Sequence, residues 1–62
     1  MSVYKLFFID PWGAVLRRLE IECDTDEGVL RLVARHEDGH DIEVWSGERL
    51  VTVHRGARRP PS

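Results

Sequence analysis

Residues 3–9, VYKLFFI, place apolar side chains on both faces of an extended segment. Val3, Phe7 and Ile9 fall on one face and Tyr4, Leu6 and Phe8 on the other, with Lys5 interrupting. A strand that is apolar on both sides belongs in the middle of a sheet with both faces covered. Asp10-Pro11-Trp12-Gly13 closes it as a turn, because proline presets φ and glycine permits a positive one. Residues 14–23, AVLRRLEIEC, then alternate: Leu19, Ile21 and Cys23 one way, Arg18, Glu20 and Glu22 the other. The short link makes this the second strand of a hairpin, with Arg17-Arg18 as the place where a bulge resets the phase.

From residue 25 to residue 37 the period becomes helical, with Val29, Leu32, Val33 and His36 at i, i+3, i+4 and i+7. Asp24 is the expected N-cap, and Glu27 completes a capping-box-like pair. Acidic residues at the start and Arg35 and His36 at the end suit the helix dipole. Gly28 weakens the helix by roughly 1 kcal/mol relative to alanine, and Gly39 stops it. Residues 41–54 predict a second hairpin with Gly47-Glu48 at a type II′ turn. That turn pairs Trp45 with Leu50, Val44 with Val51 and Ile42 with Val53.

The order ββαββ predicts an α+β fold, a four-stranded antiparallel sheet with one helix packed on one face. Strand order 2-1-3-4 puts the two-sided first strand inside and makes the crossover through the helix right-handed. The domain is expected to span 1–54, followed by a disordered basic tail over 55–62. The expected covered face holds Val3, Phe7, Ile9, Leu19, Ile21, Ile42, Val44, Val51 and Val53. The other face is left with Tyr4, Leu6, Phe8, Trp45 and Leu50, large apolar groups with nothing to cover them, and Arg49 lies at the hairpin end beside them. An apolar patch of that kind marks a binding or assembly surface, and Tyr and Trp are favoured anchors of interfaces.

Size strengthens this expectation. A chain of 62 residues buries only roughly 60% of its unfolded surface. Its single cysteine excludes an internal disulfide, so oligomerisation is the remaining route to stability, and a homodimer or a protein partner on the open face is expected. The lone thiol and the lack of a signal-like segment fit a reducing cytoplasm, and no apolar run approaches the ~20 residues of a bilayer span.

Charge separates body from tail. Residues 1–54 carry six Lys/Arg against eleven Asp/Glu, a balance of −5, whereas 55–62 carry three arginines and no acid. An acidic body disfavours capture of nucleic acid, which needs a basic face. The alternative is a weak single-strand binder in which aromatic groups on the sheet stack bases and Arg55, Arg58 and Arg59 contact phosphates. No catalytic constellation stands out, so a non-enzymatic role is expected. His36, His40, Asp41 and Cys23 do not form a known ligand set, and neither metal nor cofactor is expected.

The segments YKLFFID (4–10), DTDEGVLRLVAR (24–35) and IEVWSGERLV (42–51) together resemble a family of short, uncharacterised proteobacterial proteins. That family pairs a Y-x-L/I-Y/F-F-L-D strand with a D-D-x-x-A-L helix start and an E-L/V-W-x-G-x-R-x-V hairpin. The resemblance covers about residues 4–53, implies no activity, and points to Trp45, Gly47 and Arg49. Gly28 departs from the alanine of the pattern.

Overall fold

The computed structural model describes residues 2–56. Its elements are β1 (Ser2–Ile9), β2 (Val15–Cys23), α1 (Asp26–His36), β3 (Asp41–Ser46) and β4 (Arg49–His54). They form a four-stranded sheet of order β2-β1-β3-β4, antiparallel in every pair. This is the α+β arrangement that the sequence pattern predicts, with the two-sided β1 inside.

The face that the helix covers is the opposite one for β1. Tyr4, Leu6 and Phe8 are buried together with Val29 and Val33 of the helix and Ile42 and Val44 of β3. Val3, Phe7 and Ile9 stand on the open side, so the expected faces of β1 are exchanged. The cause is one residue in β2. At the hairpin turn Ile9 pairs with Val15, and the Asp10 N–H donates to the Ala14 carbonyl at 2.9 Å. Continued without interruption, that register would set Phe7 beside Arg17 and Val3 beside Ile21, which gives the expected faces. Instead Phe8 pairs with Arg17, leaving Leu16 as an extra residue on β2. The bulge thus lies at Leu16, one residue before Arg17-Arg18. Beyond it Tyr4 opposes Ile21 and Leu6 opposes Leu19. A one-residue slip moves every side chain to the other face, so the bulge brings the larger set of β1 beneath the helix.

A second bulge corrects the β3–β4 hairpin. Trp45 pairs with Leu50 as expected, and Gly47 at φ 63° with no positive φ at Glu48 fits the type II′ turn. Val44, however, pairs with Thr52 and Ile42 with His54. Val51 is the extra residue and packs against the core, while Val53 lies opposite Glu43 on the open side.

The helix begins one residue later than expected. Thr25, not Asp24, is the N-cap, and its Oγ1 accepts the Gly28 N–H at 3.0 Å. The helix stops at Glu37, which turns extended, before Gly39 is reached. Of the expected helical stripe, Val29 and Val33 are fully buried, Leu32 is half-buried and His36 is exposed. A Cβ on Gly28 would lie 2.5 Å from Cys23 Sγ and 3.3 Å from Thr25 Oγ1. Glycine there is therefore set by the close passage of the helix over the end of β2.

Two stability predictions follow from this geometry. Gly28→Ala is expected to lower the melting temperature, despite the roughly 1 kcal/mol that alanine gains in a helix interior. Adding Cys23→Ala should recover the loss, and thermal melts of the single and double variants check both. Deleting Leu16 should leave a chain that still folds cooperatively, because it removes the extra residue while keeping Ile9 beside Val15, Phe8 beside Arg17 and Leu6 beside Leu19. Loss of a cooperative melt in the deletion variant would contradict this.

Candidate functional site

The open face is built by alternate residues of all four strands. Paired positions across the sheet read Glu20, Lys5, Trp45 and Leu50 in one row, and Arg18, Phe7, Glu43 and Val53 in the next. Phe7 is central and half-buried. Three shallow depressions of 330, 460 and 450 Å³ share it in their lining, with Lys5, Arg18, Val15 and Trp45 among its neighbours. Trp45 is fixed by its indole Nε1–H, which donates to Glu43 Oε1 at 3.1 Å. Val3, Val15 and Leu50 are about half exposed at 47%, 53% and 45%.

Of the residues expected on the interaction surface, Trp45 and Leu50 are on this face, and Tyr4, Leu6 and Phe8 are not. Leu6 and Phe8 are fully buried, and the bulge at Leu16 is the reason. Phe7, Val3 and Val15 are the surface residues that the sequence pattern missed. Phe7 was legible only as one half of a strand apolar on both sides, and nothing in β1 itself says which half faces the helix.

The β1–β2 turn presents a further aromatic group. Asp10 Oδ1 accepts the N–H groups of Trp12 at 2.9 Å and Ala14 at 2.8 Å, and the Gly13 N–H donates to the Asp10 carbonyl at 3.0 Å. With Gly13 at φ 92° the loop is closed on itself, and Trp12 projects from it at 84% exposure.

Tyr4 and Arg49 have a structural task. The Tyr4 hydroxyl donates to Asp26 Oδ1 at 2.6 Å, and Arg49 reaches the same carboxylate at 3.4 and 3.5 Å. Asp26 is the first residue of the helix, where a negative charge suits the dipole. The cluster therefore ties β1 and β4 to the start of α1. The bond to Asp26 raises the Tyr4 pKa, with burial adding to it. The Tyr4 hydroxyl and then Arg49 hold the Asp26 carboxyl below its ordinary range.

At the other end of the helix Arg17 lies over the Phe8 ring, 4.2 Å from its centroid, and reaches Asp38 at 3.9 Å. It caps the core where the helix has ended. Asp38 also accepts from the His40 backbone N–H at 3.1 Å. Burial pushes the Asp38 carboxyl up, but His40 and Arg17 together bring it below its ordinary value.

Arg55, expected to be free for phosphate, pairs with Asp41 at 3.1 Å, and the Gly56 N–H donates to the same carboxylate at 3.0 Å. The Gly56 N–H is the main cause of a lowered Asp41 pKa. The tail drawn from residue 55 thus starts with two residues tied to β3, while Arg58 and Arg59 lie outside the described residues. Of the expected stacking group Tyr4 and Phe8 are in the core, and Trp45 shares the open face with Glu20, Glu22 and Glu43. Among the described residues no group of three or more His, Cys, Asp or Glu is placed to hold a metal. No helix among them is long and apolar enough to cross a membrane.

No protein-family model matches the chain, and no solved structure matches it. A 44-residue stretch is 36% identical to part of an alpha-mannosidase of Saccharomyces cerevisiae. The match covers 71% of this chain but 4% of that protein, and no activity is carried over from so small a part.

A pH prediction follows from the Asp26 cluster. Because the Asp26 pKa is depressed on folding, its contribution is present above the unfolded value of about 3.9 and disappears as pH falls through the folded value. Asp26→Asn should therefore melt below the wild type at pH 7 and level with it near pH 2. For Tyr4, whose pKa is raised, the hydroxyl contributes below about pH 10 and is lost above it. Equal melting of wild type and Asp26→Asn at neutral pH would remove the cluster from the account of stability.

Proposed function

We propose that this chain is a small, non-enzymatic protein–protein interaction module of the cytoplasm that works through the open face of its sheet, with a second copy of itself as the first occupant. One observation carries the reading: among the described residues the helix covers one face, and the other keeps Phe7, Val3, Val15, Trp45 and Leu50 at the surface. A cluster of large apolar groups rimmed by charge has the anatomy of an interface core and its rim. The module resembles the family of short proteobacterial proteins described above, and the lone thiol suits a reducing compartment.

The charge pattern favours protein over nucleic acid. Lys5 lies beside Trp45 and Glu43 beside Phe7, so a second copy can set each sign against its opposite at the centre of the face, whereas a polyanion would meet the carboxylates. Trp45, held by Glu43, is pre-oriented and would lose little side-chain freedom on docking.

Sedimentation over a concentration series tests the reading. Phe7→Ser and Trp45→Ala should each shift the mass towards monomer, and their dissociation constants should rise by ~10-fold or more, as for central aromatic anchors. Both side chains stand outside the helix-covered core, so circular dichroism should be unchanged. A wild-type chain that stays monomeric at high micromolar concentration would sink the self-association reading.

A further inference from the structure

The two edges of the sheet differ. β4 has six residues and is bulged at Val51, and a bulge interrupts the regular row of outward backbone groups that another strand would need. β2 is longer, and from Arg17 to Cys23 it keeps one unbroken register with β1. Its far side is an edge of the sheet.

We propose that a second copy of this chain pairs antiparallel with β2 about a two-fold axis through Leu19, joining two four-stranded sheets into one of eight strands. The proposal rests on the reading of the chain as a self-associating module, but it uses a different surface from the sheet face. Charge decides the register. A two-fold axis normal to the sheet keeps both helices on one side. Centred on Leu19, it sets Arg18 opposite Glu20 of the second copy, and Glu20 opposite Arg18 of the second copy. Both pairs lie on the open face. On the helix side Leu19 meets Leu19.

The neighbouring registers are each opposed by like charges, which destabilise when directly opposite. An axis at Arg18 brings two guanidinium groups together, one at Ile21 sets Glu20 against Glu22 twice, and one at Glu20 forms two Arg18–Glu22 pairs but places two carboxylates face to face between them. Charged side chains on an edge normally keep strands apart. Here Arg18 and Glu20 are of opposite sign, two residues apart on one face, so of these registers the one at Leu19 alone sets no like charges opposite each other. Arg18 and Glu20 are also uncommitted to any ion pair among the described residues.

The test uses the full chain with Arg18→Glu, Glu20→Arg, the double variant and Phe7→Ser, each followed by sedimentation, with circular dichroism as a check on folding. Each single charge reversal opposes like charges and should weaken self-association by ~10-fold or more. The double variant should recover it. Mixing Arg18→Glu copies with Glu20→Arg copies should restore association as a heterodimer, because both cross-strand pairs are then of opposite sign. If the single reversals associate like the wild type, or if neither the mixture nor the double variant recovers, the β2 pairing is overturned. Loss of association in Phe7→Ser, with none in the charge variants, overturns the edge and leaves the face reading standing. The converse result overturns the face reading and leaves the edge.

Discussion

The extra residue in β2 is the constraint on which the rest of the molecule depends. The hairpin turn fixes one register between β1 and β2, and the bulge at Leu16 replaces it with another one residue along. Because β1 is apolar on both sides, either register would give the helix something to cover. The observed one supplies Tyr4, Leu6 and Phe8, whose combined bulk fills the space under Val29 and Val33. It also brings the Tyr4 hydroxyl within 2.6 Å of Asp26, so a buried phenol finds its partner at the first turn of the helix. The other register would bury no hydroxyl and offer the helix no such tie.

The two ends of the core are closed by charged groups. At the start of the helix, Asp26 gathers Tyr4 and Arg49. At its end, Arg17 sets its guanidinium over Phe8 and meets Asp38. Between them the helix is only 11 residues long, too short to be stable alone in water, and its docking on the sheet is what maintains it. Gly28 belongs to the same logic. A residue that is poor for the helix by propensity is the one that lets it pass close to Cys23. Local preference gives way to packing, as tertiary context commonly requires.

The open face follows from what remains after the core is filled. Once Tyr4, Leu6 and Phe8 are covered, Phe7 is left in the middle of the other side, with Trp45 beside it and charges of both signs around it. That mixture of signs is part of what supports the proposed protein partner, since the acidic groups would repel a phosphate backbone. Arg55 just past the end of β4 is paired with Asp41 of β3.

The sequence by itself determined the elements, their order and the topology. Helical period over Val29 to His36, alternation over Leu19 to Cys23 and the Gly47-Glu48 turn are local signals, each carried by neighbouring residues. It also determined that Trp45 and Leu50 share a face, since a tight turn pairs the strands it joins. Only the tertiary structure decided which side of β1 is core. Val3, Phe7 and Ile9 match Tyr4, Leu6 and Phe8 in hydrophobicity, so the pattern is degenerate there. The choice was made by a register shift of one residue at Leu16 and a second at Val51, and by a hydrogen bond between residues 22 positions apart. Bulges leave little trace in a hydrophobic pattern, because they reset its phase without altering its content.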